Sequence, residues 1–324
     1  MNTRERLAAL LAENRGGFVS GEELAKELGC TRGAVWKAVR ALQKEGYAIS
    51  AVTNRGYRLE EKSDMLTAAG IKKYLGEAKD TVFPEVFKSV DSTNTRLREA
   101  AVSGACEGTA IIAGAQTAGK GRLGRSFYSP EDTGLYMSLL LRTDLPAEQA
   151  TLITTAAAAA VAEAVEAASG KKCGIKWVND VYIGDRKICG ILTEASVSLE
   201  NGGLEYAIVG IGINACEPKG GFPEELREVA AAVFDSAEGD LRNRLAGDVL
   251  RRLMRYYREL ESRSFLESYR SRLMWKGEKI RVISGESSYS CVLEDVDDSC
   301  RLLVRTENGE KKTVLSGEIS IRKQ

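Results

Sequence analysis

Leu7, Leu10 and Leu11 recur at helical spacing near the start of the chain. Ser20 followed by Glu23 forms a capping-box pattern, which predicts a short helix carrying Leu24, Ala25 and Leu28 and ending at Gly29. Thr31 is placed to cap a further helix whose apolar side is Val35, Trp36, Val39 and Leu42. Strand-like Tyr47–Thr53 and Tyr57–Leu59 flank the turn Asn54-Arg55-Gly56, and charged Glu60–Asp64 reads as a linker. These patterns set off residues 1–62 as one unit, a winged helix-turn-helix.

Residues 65–270 mix the two periodicities. Strands are predicted at Ala110–Gly114, Leu135–Leu141, Gly174–Trp177, Val181–Ile183, Lys187–Leu192 and Tyr206–Ile211. Helices are predicted near Ser92–Ala101, Glu148–Ala168 and Leu241–Glu261. Gly184-Asp185-Arg186 marks a hairpin, which makes its strands antiparallel and favours an α+β mixed sheet over a doubly wound one. Residues 271–324 switch to short strands at Lys279–Ile283, Tyr289–Val296, Arg301–Thr306 and Lys312–Leu315. Turns at Ser284–Glu286, Asp297–Ser299 and Asn308-Gly309 separate them, the pattern of a small β-barrel.

Composition narrows the chemistry. The 324 residues include no histidine, which removes Ser-His-Asp and Cys-His nucleophile pairs, His-ligated zinc and imidazole switching. Lys+Arg and Asp+Glu both number 46, so the whole chain exerts no net pull on polyanions and any anion site must be local. The seven cysteines include no CxxC, so a reduced cytoplasmic setting is expected, with no metal-ligating set. The N-terminus lacks a signal peptide's apolar core. Glu163 and Glu166 interrupt the most apolar stretch, Thr154–Ala168, and no membrane span is expected.

Local charge is uneven. Thr31–Lys44 carries Arg32, Lys37, Arg40 and Lys44 with no acid. With Ala25, Gly29 and Val35 at helix-turn-helix spacing and Arg55 at the tip of the hairpin, Thr31, these cations and Arg55 form a candidate DNA surface. A protein-interaction module with a solvated basic face is the alternative. A second acid-free stretch, Ala113–Pro130, alternates Gly114, Gly119, Gly121 and Gly124 with Lys120, Arg122 and Arg125. Its spacing fits neither GxxxxGK[ST] nor GxGxxG, so it is a phosphate cradle or a flexible surface loop. Lys176-Trp177-Val178-Asn179-Asp180 and Lys187-Ile188-Cys189-Gly190 place lysines beside strands, where they reach an acyl or phosphoryl oxygen or are simply solvated. Gly210 and Gly212 clear one sheet face for a flat ligand or for tight packing. Ser92, Thr93 and Asn94 are N-cap residues that also suit a polar ligand head.

The order of these motifs is more specific than any one of them. DSTN, a Q-x-x-G-[KR]-G-R-x-G-R loop, KW-x-ND, DRK-x-x-GIL and GIGIN together resemble the biotin protein ligases. The helix-turn-helix in front and the small β-module behind resemble the bifunctional subclass, ligase plus biotin operon repressor. The resemblance spans essentially the whole chain and implies an SH3-like barrel at the C-terminus.

The implied activity joins biotin to ATP as biotinyl-5′-adenylate, with Mg²⁺, then transfers biotin to a lysine of a biotin carboxyl carrier protein. The implied biotin site is Ser92, Thr93, Asn94, Gln116, Gly119, Lys120, Gly121, Arg122, Lys187, Gly190, Gly210 and Gly212. The implied adenylate site is Lys120, Arg122, Arg125, Phe127, Lys176, Asn179, Asp180, Lys187 and Asn214, with Lys187 and Arg122 catalytic. The adenylate is also the implied corepressor of an operator-binding homodimer. Three positions depart from the family pattern: Lys120 replaces arginine, Val178 replaces the proline of KWPND, and Phe127 replaces tryptophan. A biotin-responsive regulator without enzymatic activity and a lipoate-type ligase remain alternatives.

Overall fold

The computed structural model describes residues 3–44, 46–61, 64–131, 133–143, 145–197, 202–236, 239–284, 287–315 and 319–323. Three helices open the chain: α1 (Thr3–Glu13), α2 (Gly21–Leu28) and α3 (Arg32–Lys44). Ser20 Oγ accepts from Glu23 N at 3.1 Å, and Gly29 closes α2 in the left-handed region at φ 64°. Thr31 Oγ1 caps α3 by accepting from Ala34 N at 3.2 Å. Leu7, Leu11, Leu24, Val35, Val39 and Leu42 are buried together in a core of their own. The wing is the antiparallel pair β1 (Ile49–Val52) and β2 (Gly56–Leu59). At Gly56 a Cβ would lie 2.1 Å from Val19 O, so only glycine allows the wing to bridge to the residues before α2.

The central unit follows with α4 (Ala68–Lys72), β3 (Phe83–Phe87), α5 (Thr93–Val102), β4 (Thr109–Ala113), β5 (Leu135–Leu141) and α6 (Ala150–Ser169). It continues with β6 (Gly174–Lys176), β7 (Asp180–Ile183), β8 (Arg186–Val197), β9 (Leu204–Ile213), α7 (Glu224–Arg227), α8 (Leu241–Arg258) and α9 (Leu266–Ser271). Its seven strands form one sheet ordered β3-β4-β5-β9-β8-β7-β6. Only β3 pairs in parallel, so the sheet is mixed as expected. The hairpin at Gly184 joins β7 to β8, and β8 and β9 run well beyond their predicted ends.

By length and hydropathy alone α6 would suffice to cross a membrane. It lies instead in the core beneath the sheet, its alanines buried. Glu163 is bonded by Arg252, Tyr256 and Ser268, and Glu166 by Arg272.

The last strands are β10 (Lys279–Ser284), β11 (Ser287–Val296), β12 (Leu302–Thr306), β13 (Lys311–Val314) and β14 (Ile319–Lys323). They form an antiparallel sheet ordered β13-β12-β11-β10-β14, with a register shift between Leu293 and Asp295. No ladder joins β13 to β14 among the described residues, so the described strands form one antiparallel sheet, the coarser part of the expected β-barrel module. The expected turn at Ser284–Glu286 falls partly outside the described residues. Apolar residues of this sheet, including Ile280, Leu293 and Leu302, are continuous with the central core.

The helix-turn-helix unit is tied to the central unit by polar contacts. Arg15 pairs with Asp240 at 2.8 Å, and Lys73 Nζ donates to Ala12 O at 2.8 Å. In the linker, Asp64 forms an ion pair with Arg242 at 2.6 Å, both side chains almost wholly buried.

Candidate functional site

Three adjacent strands build the floor of one cavity. Gly212 of β9 lies opposite Tyr136 of β5 on one side and Gly190 of β8 on the other. Two residues along, Gly210 lies opposite Ser138 and Leu192. Side chains two apart on a strand share a face, so these positions form two rows on one surface of the sheet. The glycines leave that surface low, and side chains from outside the sheet fill the space. A Cβ at Gly212 would sit 2.6 Å from the Phe127 ring, and one at Gly210 only 2.1 Å from Asn94 Oδ1. Phe127 also meets Tyr136 edge-on, with centroids 6.4 Å apart.

The basic loop is folded back on itself. Phe127 N donates to Gly119 O, Gly121 N to Arg125 O, and Gln116 N to Ser129 O. Thr117 N and Ala118 N donate to Val90 O and Asp91 O, tying the loop to the start of the DSTN segment. A Cβ at Gly119 would meet Phe127 O at 2.6 Å, so this glycine allows the two arms to approach. At the tip Leu123 adopts φ 57° and is exposed.

The cavity holds about 160 Å³, and Ser92, Thr93, Asn94, Gln116, Lys120, Gly121, Arg122, Arg125, Phe127, Lys176, Asn179, Asp180, Lys187, Gly190, Gly210 and Gly212 all line it. Two expected residues do not. Gly119 supports the loop, and Asn214 stands behind Lys187, donating its amide to Ala231 O at 3.2 Å.

Cations and their partners occupy one end. Lys187 Nζ lies 2.7 Å from Asp180 Oδ1. Arg122 donates to Asn179 Oδ1 at 3.0 Å, and Asn179 Nδ2 donates to Ile191 O at 2.8 Å. Burial lowers the Arg122 pKa from its ordinary value, and the Asp180 carboxylate works against that shift. Lys120 Nζ donates to Thr95 Oγ1 at 2.9 Å. The Trp177–Val178 peptide is cis, and the Trp177 indole N–H donates to Cys300 O at 2.9 Å. Lys176 Nζ stands 5.6 Å from the Trp275 ring centroid.

The other end is polar and largely uncharged. Thr93 N donates to Gln116 Oε1 at 2.9 Å, and Gln116 Nε2 donates to Ser129 Oγ at 2.9 Å. Asn94 Nδ2 donates to Glu194 Oε2 at 2.7 Å and to Leu192 O at 3.3 Å. The Ser92 hydroxyl, at the head of α5, makes no hydrogen bond among the described residues. Sequence reasoning missed Ser138, Glu194 and the cavity-lining Ile321. A lone serine inside apolar LYMSLLL was the available signal, because a buried hydroxyl needs a partner.

No cysteine lines the cavity among the described residues. All seven cysteines are free thiols. Burial pushes Cys173 up to about 12 and Cys216 and Cys300 up to about 11, so these thiols stay protonated. Among the described residues no three carboxylates or thiols gather to hold a metal.

The second basic surface is separate. Thr31, Arg32, Lys37, Arg40 and Lys44 are exposed along α3, and among the described residues none of these four cations is in an ion pair. Trp36, absent from the predicted surface, is half-exposed there with the Arg40 guanidinium 5.7 Å from its centroid. Arg55, in the wing turn, is exposed, with its guanidinium 4.3 Å from the Phe18 ring centroid.

The chain is similar to known proteins along its length. Residues 86–214 match the biotin/lipoate A/B protein ligase family, 3–58 an HTH domain and 277–322 the biotin protein ligase C terminal domain. The bifunctional ligase/repressor BirA of Bacillus spizizenii is 34% identical over 98% of both chains. A biotin--[acetyl-CoA-carboxylase] ligase of Mycobacterium tuberculosis is 30% identical over 72% of this chain and 87% of its own. The structure of a biotin protein ligase from Aquifex aeolicus in complex with biotin and ATP is 32% identical. It superposes with a TM-score of 0.63 over 74% of this chain and 99% of that one.

Proposed function

Because the chain belongs to the biotin protein ligase family, and matches its bifunctional ligase/repressors along almost its whole length, we propose that it forms biotinyl-5′-adenylate from biotin and ATP and transfers biotin to a lysine of a biotin carboxyl carrier protein. The observation that carries this reading is the convergence of DSTN, the basic loop, KWVND, Lys187 and GIGIN on one cavity.

The polar end takes the biotin head, with Ser92, Thr93 and Gln116 facing it and Phe127 against its apolar ring. The charged end takes the carboxylate and the ATP phosphates. Both are anions, so Lys187, Arg122, Lys120, Arg125 and Lys176 must offset their repulsion before a carboxylate oxygen can reach the α-phosphorus. Pyrophosphate leaves, and a mixed anhydride remains. Mg²⁺ enters with ATP as part of the substrate. One carboxylate, Asp180, beside the Asn179 amide fits an ion held mainly by phosphate oxygens and water, and would also orient Lys187.

In transfer, the neutral amine of the carrier lysine attacks the activated carbonyl and AMP departs. Lys187 is placed to meet charge developing on the acyl oxygen. Neither half needs histidine or a covalent enzyme intermediate.

The helix-turn-helix reads operator DNA through α3, with phosphate contacts from Arg32, Lys37, Arg40 and Lys44. The adenylate acts as corepressor by favouring a homodimer that spans two half-sites. Acetyl-CoA carboxylase, named for the mycobacterial relative, is the proposed source of the carrier, in a cytoplasmic setting. Biotin-dependent exchange of pyrophosphate into ATP tests the first half-reaction. Exchange with biotin and not lipoate is expected, and none with either acid overturns the enzymatic reading.

A further inference from the structure

The cations of α3 surround one large apolar side chain. Arg32, Trp36 and Arg40 follow at four-residue spacing, so they lie one above another on the helix, with Lys37 and Lys44 beside them. On the opposite side Val35, Val39 and Leu42 enter the core. Trp36 does not join them and is 52% exposed. The Arg40 guanidinium stands 5.7 Å from its ring centroid, and the indole N–H has no hydrogen-bond partner among the described residues. A merely solvated basic face has no use for an indole, which carries a large apolar surface and one polar handle.

Gly33, three residues before Trp36 and on the same side, has no reason within the fold. Its φ is not left-handed, and a Cβ there would meet nothing nearer than Thr31 Oγ1 at 3.8 Å. Glycine destabilises a helix relative to alanine. What it provides is a bare first turn beside the indole, where another molecule can approach the helix closely.

An acid-free row of cations fits a polyanion. In a helix-turn-helix the N-terminal residues of the recognition helix meet base edges, while longer cations meet phosphates. Of the four bases, thymine alone shows a methyl group in the major groove, and its O4 acceptor stands beside it. Trp36 offers the matching pair, an apolar ring and one N–H donor. Cytosine would set its own N4 donor against that N–H and offer no methyl group.

We propose that Trp36 is a specificity-determining residue, which packs on a thymine methyl group in the major groove while the surrounding cations hold the phosphates. The inference rests on the operator-binding reading and deepens it. Recognition by Trp36 depends on sequence and hardly on salt. That by Arg32, Lys37, Arg40 and Lys44 depends on salt and hardly on sequence.

The test uses the full-length protein with biotin and Mg-ATP. Sites are selected from a randomised duplex library, and affinities for the selected duplex are read by fluorescence anisotropy. Enrichment of a defined site by the wild type checks the underlying reading separately; without it, both fall. At one thymine of that site, replacement by deoxyuridine removes only the methyl group. It is expected to weaken wild-type binding about fourfold, the size of one buried methyl-sized group. Cytosine there is expected to weaken it about tenfold or more. Trp36→Ala is expected to bind the thymine and deoxyuridine duplexes equally, with the salt slope unchanged. Trp36→Phe, which keeps an apolar ring, is expected to retain at least about a twofold preference for thymine. Lys37→Ala is expected to weaken both duplexes alike. Wild-type sensitivity to deoxyuridine at every thymine in Trp36→Ala overturns the proposal. So does wild-type affinity of that variant for every duplex, the outcome for an indole that serves a protein partner. Loss of all duplex binding in Trp36→Ala, together with no thymine preference in Trp36→Phe, overturns it as well.

Discussion

Lys187 Nζ lies 2.7 Å from Asp180 Oδ1, across the hairpin that joins β7 to β8. Gly190 stands opposite Asp180, and a side chain there would crowd Lys187 Nζ at 3.2 Å. The hairpin thus holds one ammonium group over the glycine floor, where the proposed reaction would bring the acyl and phosphoryl oxygens together. Lys187→Ala is expected to lower pyrophosphate exchange about 10²–10³-fold, the size of one lost charge-stabilising donor. Titration with biotin should show much smaller losses in binding. Equal losses in binding and turnover would place Lys187 in uniform substrate binding instead.

Gly212→Ala is expected to push the Phe127 ring off the floor, since the new Cβ would lie 2.6 Å from it. Overpacking of this kind costs about 1–3 kcal/mol. The expected readout is a biotin Kd raised by roughly tenfold or more, measured by calorimetry, with the melting temperature lowered by a few degrees.

Glu163 predicts an acid-dependent contribution to stability. Burial pushes its pKa up, but hydrogen bonds from Ser268, Tyr256 and charged Arg252 outweigh it, and the net value lies below the ordinary 4.5. A carboxyl whose pKa is lower folded than unfolded stabilises the fold above its unfolded pKa. That stabilisation is lost as pH falls through the folded value. Denaturant unfolding between pH 7 and pH 3 should therefore show a shallower pH dependence in Glu163→Gln than in the wild type. Parallel curves would remove Glu163 from the account of acid stability.

DNA binding by α3 should fall steeply with salt. Lys37→Ala and Arg40→Ala are each expected to reduce the slope of log K against log salt by about one, with little change in sequence preference. Binding measured by fluorescence anisotropy on the full-length protein separates this from a protein-interaction role, for which neither slope would change.

Much of this was legible in the chain because the relevant signals were local. Ser20 with Glu23, Gly29 at a helix end and the Gly184 turn act within a few residues, and each appears where its pattern placed it. The continuous apolar run Leu135–Leu141 and the glycine pair at 210 and 212 located the floor. What escaped depends on contacts between distant segments. Ser138 is legible only as one polar residue in an apolar strand, because its partners Asn94 and Thr93 arrive from α5. Phe87 belongs to a five-residue edge strand that contains Pro84, a residue that argues against a strand in sequence, and β3 went unpredicted. Asn214 follows GIGI at a strand end and looked like a ligand group, yet its amide faces the backbone behind Lys187. Closure of the C-terminal strands depends on how edges meet, which alternation along a strand cannot encode.

The central claim is that one cavity performs both adenylation and transfer. Incubation of the full-length protein with biotin, Mg-ATP and an apo biotin carboxyl carrier domain, read by mass spectrometry of the carrier, tests it most directly. The account predicts a mass gain of one biotinyl group on a single lysine, dependent on ATP and lost in Lys187→Ala. An unmodified carrier, from a protein that binds biotin under the same conditions, would contradict it.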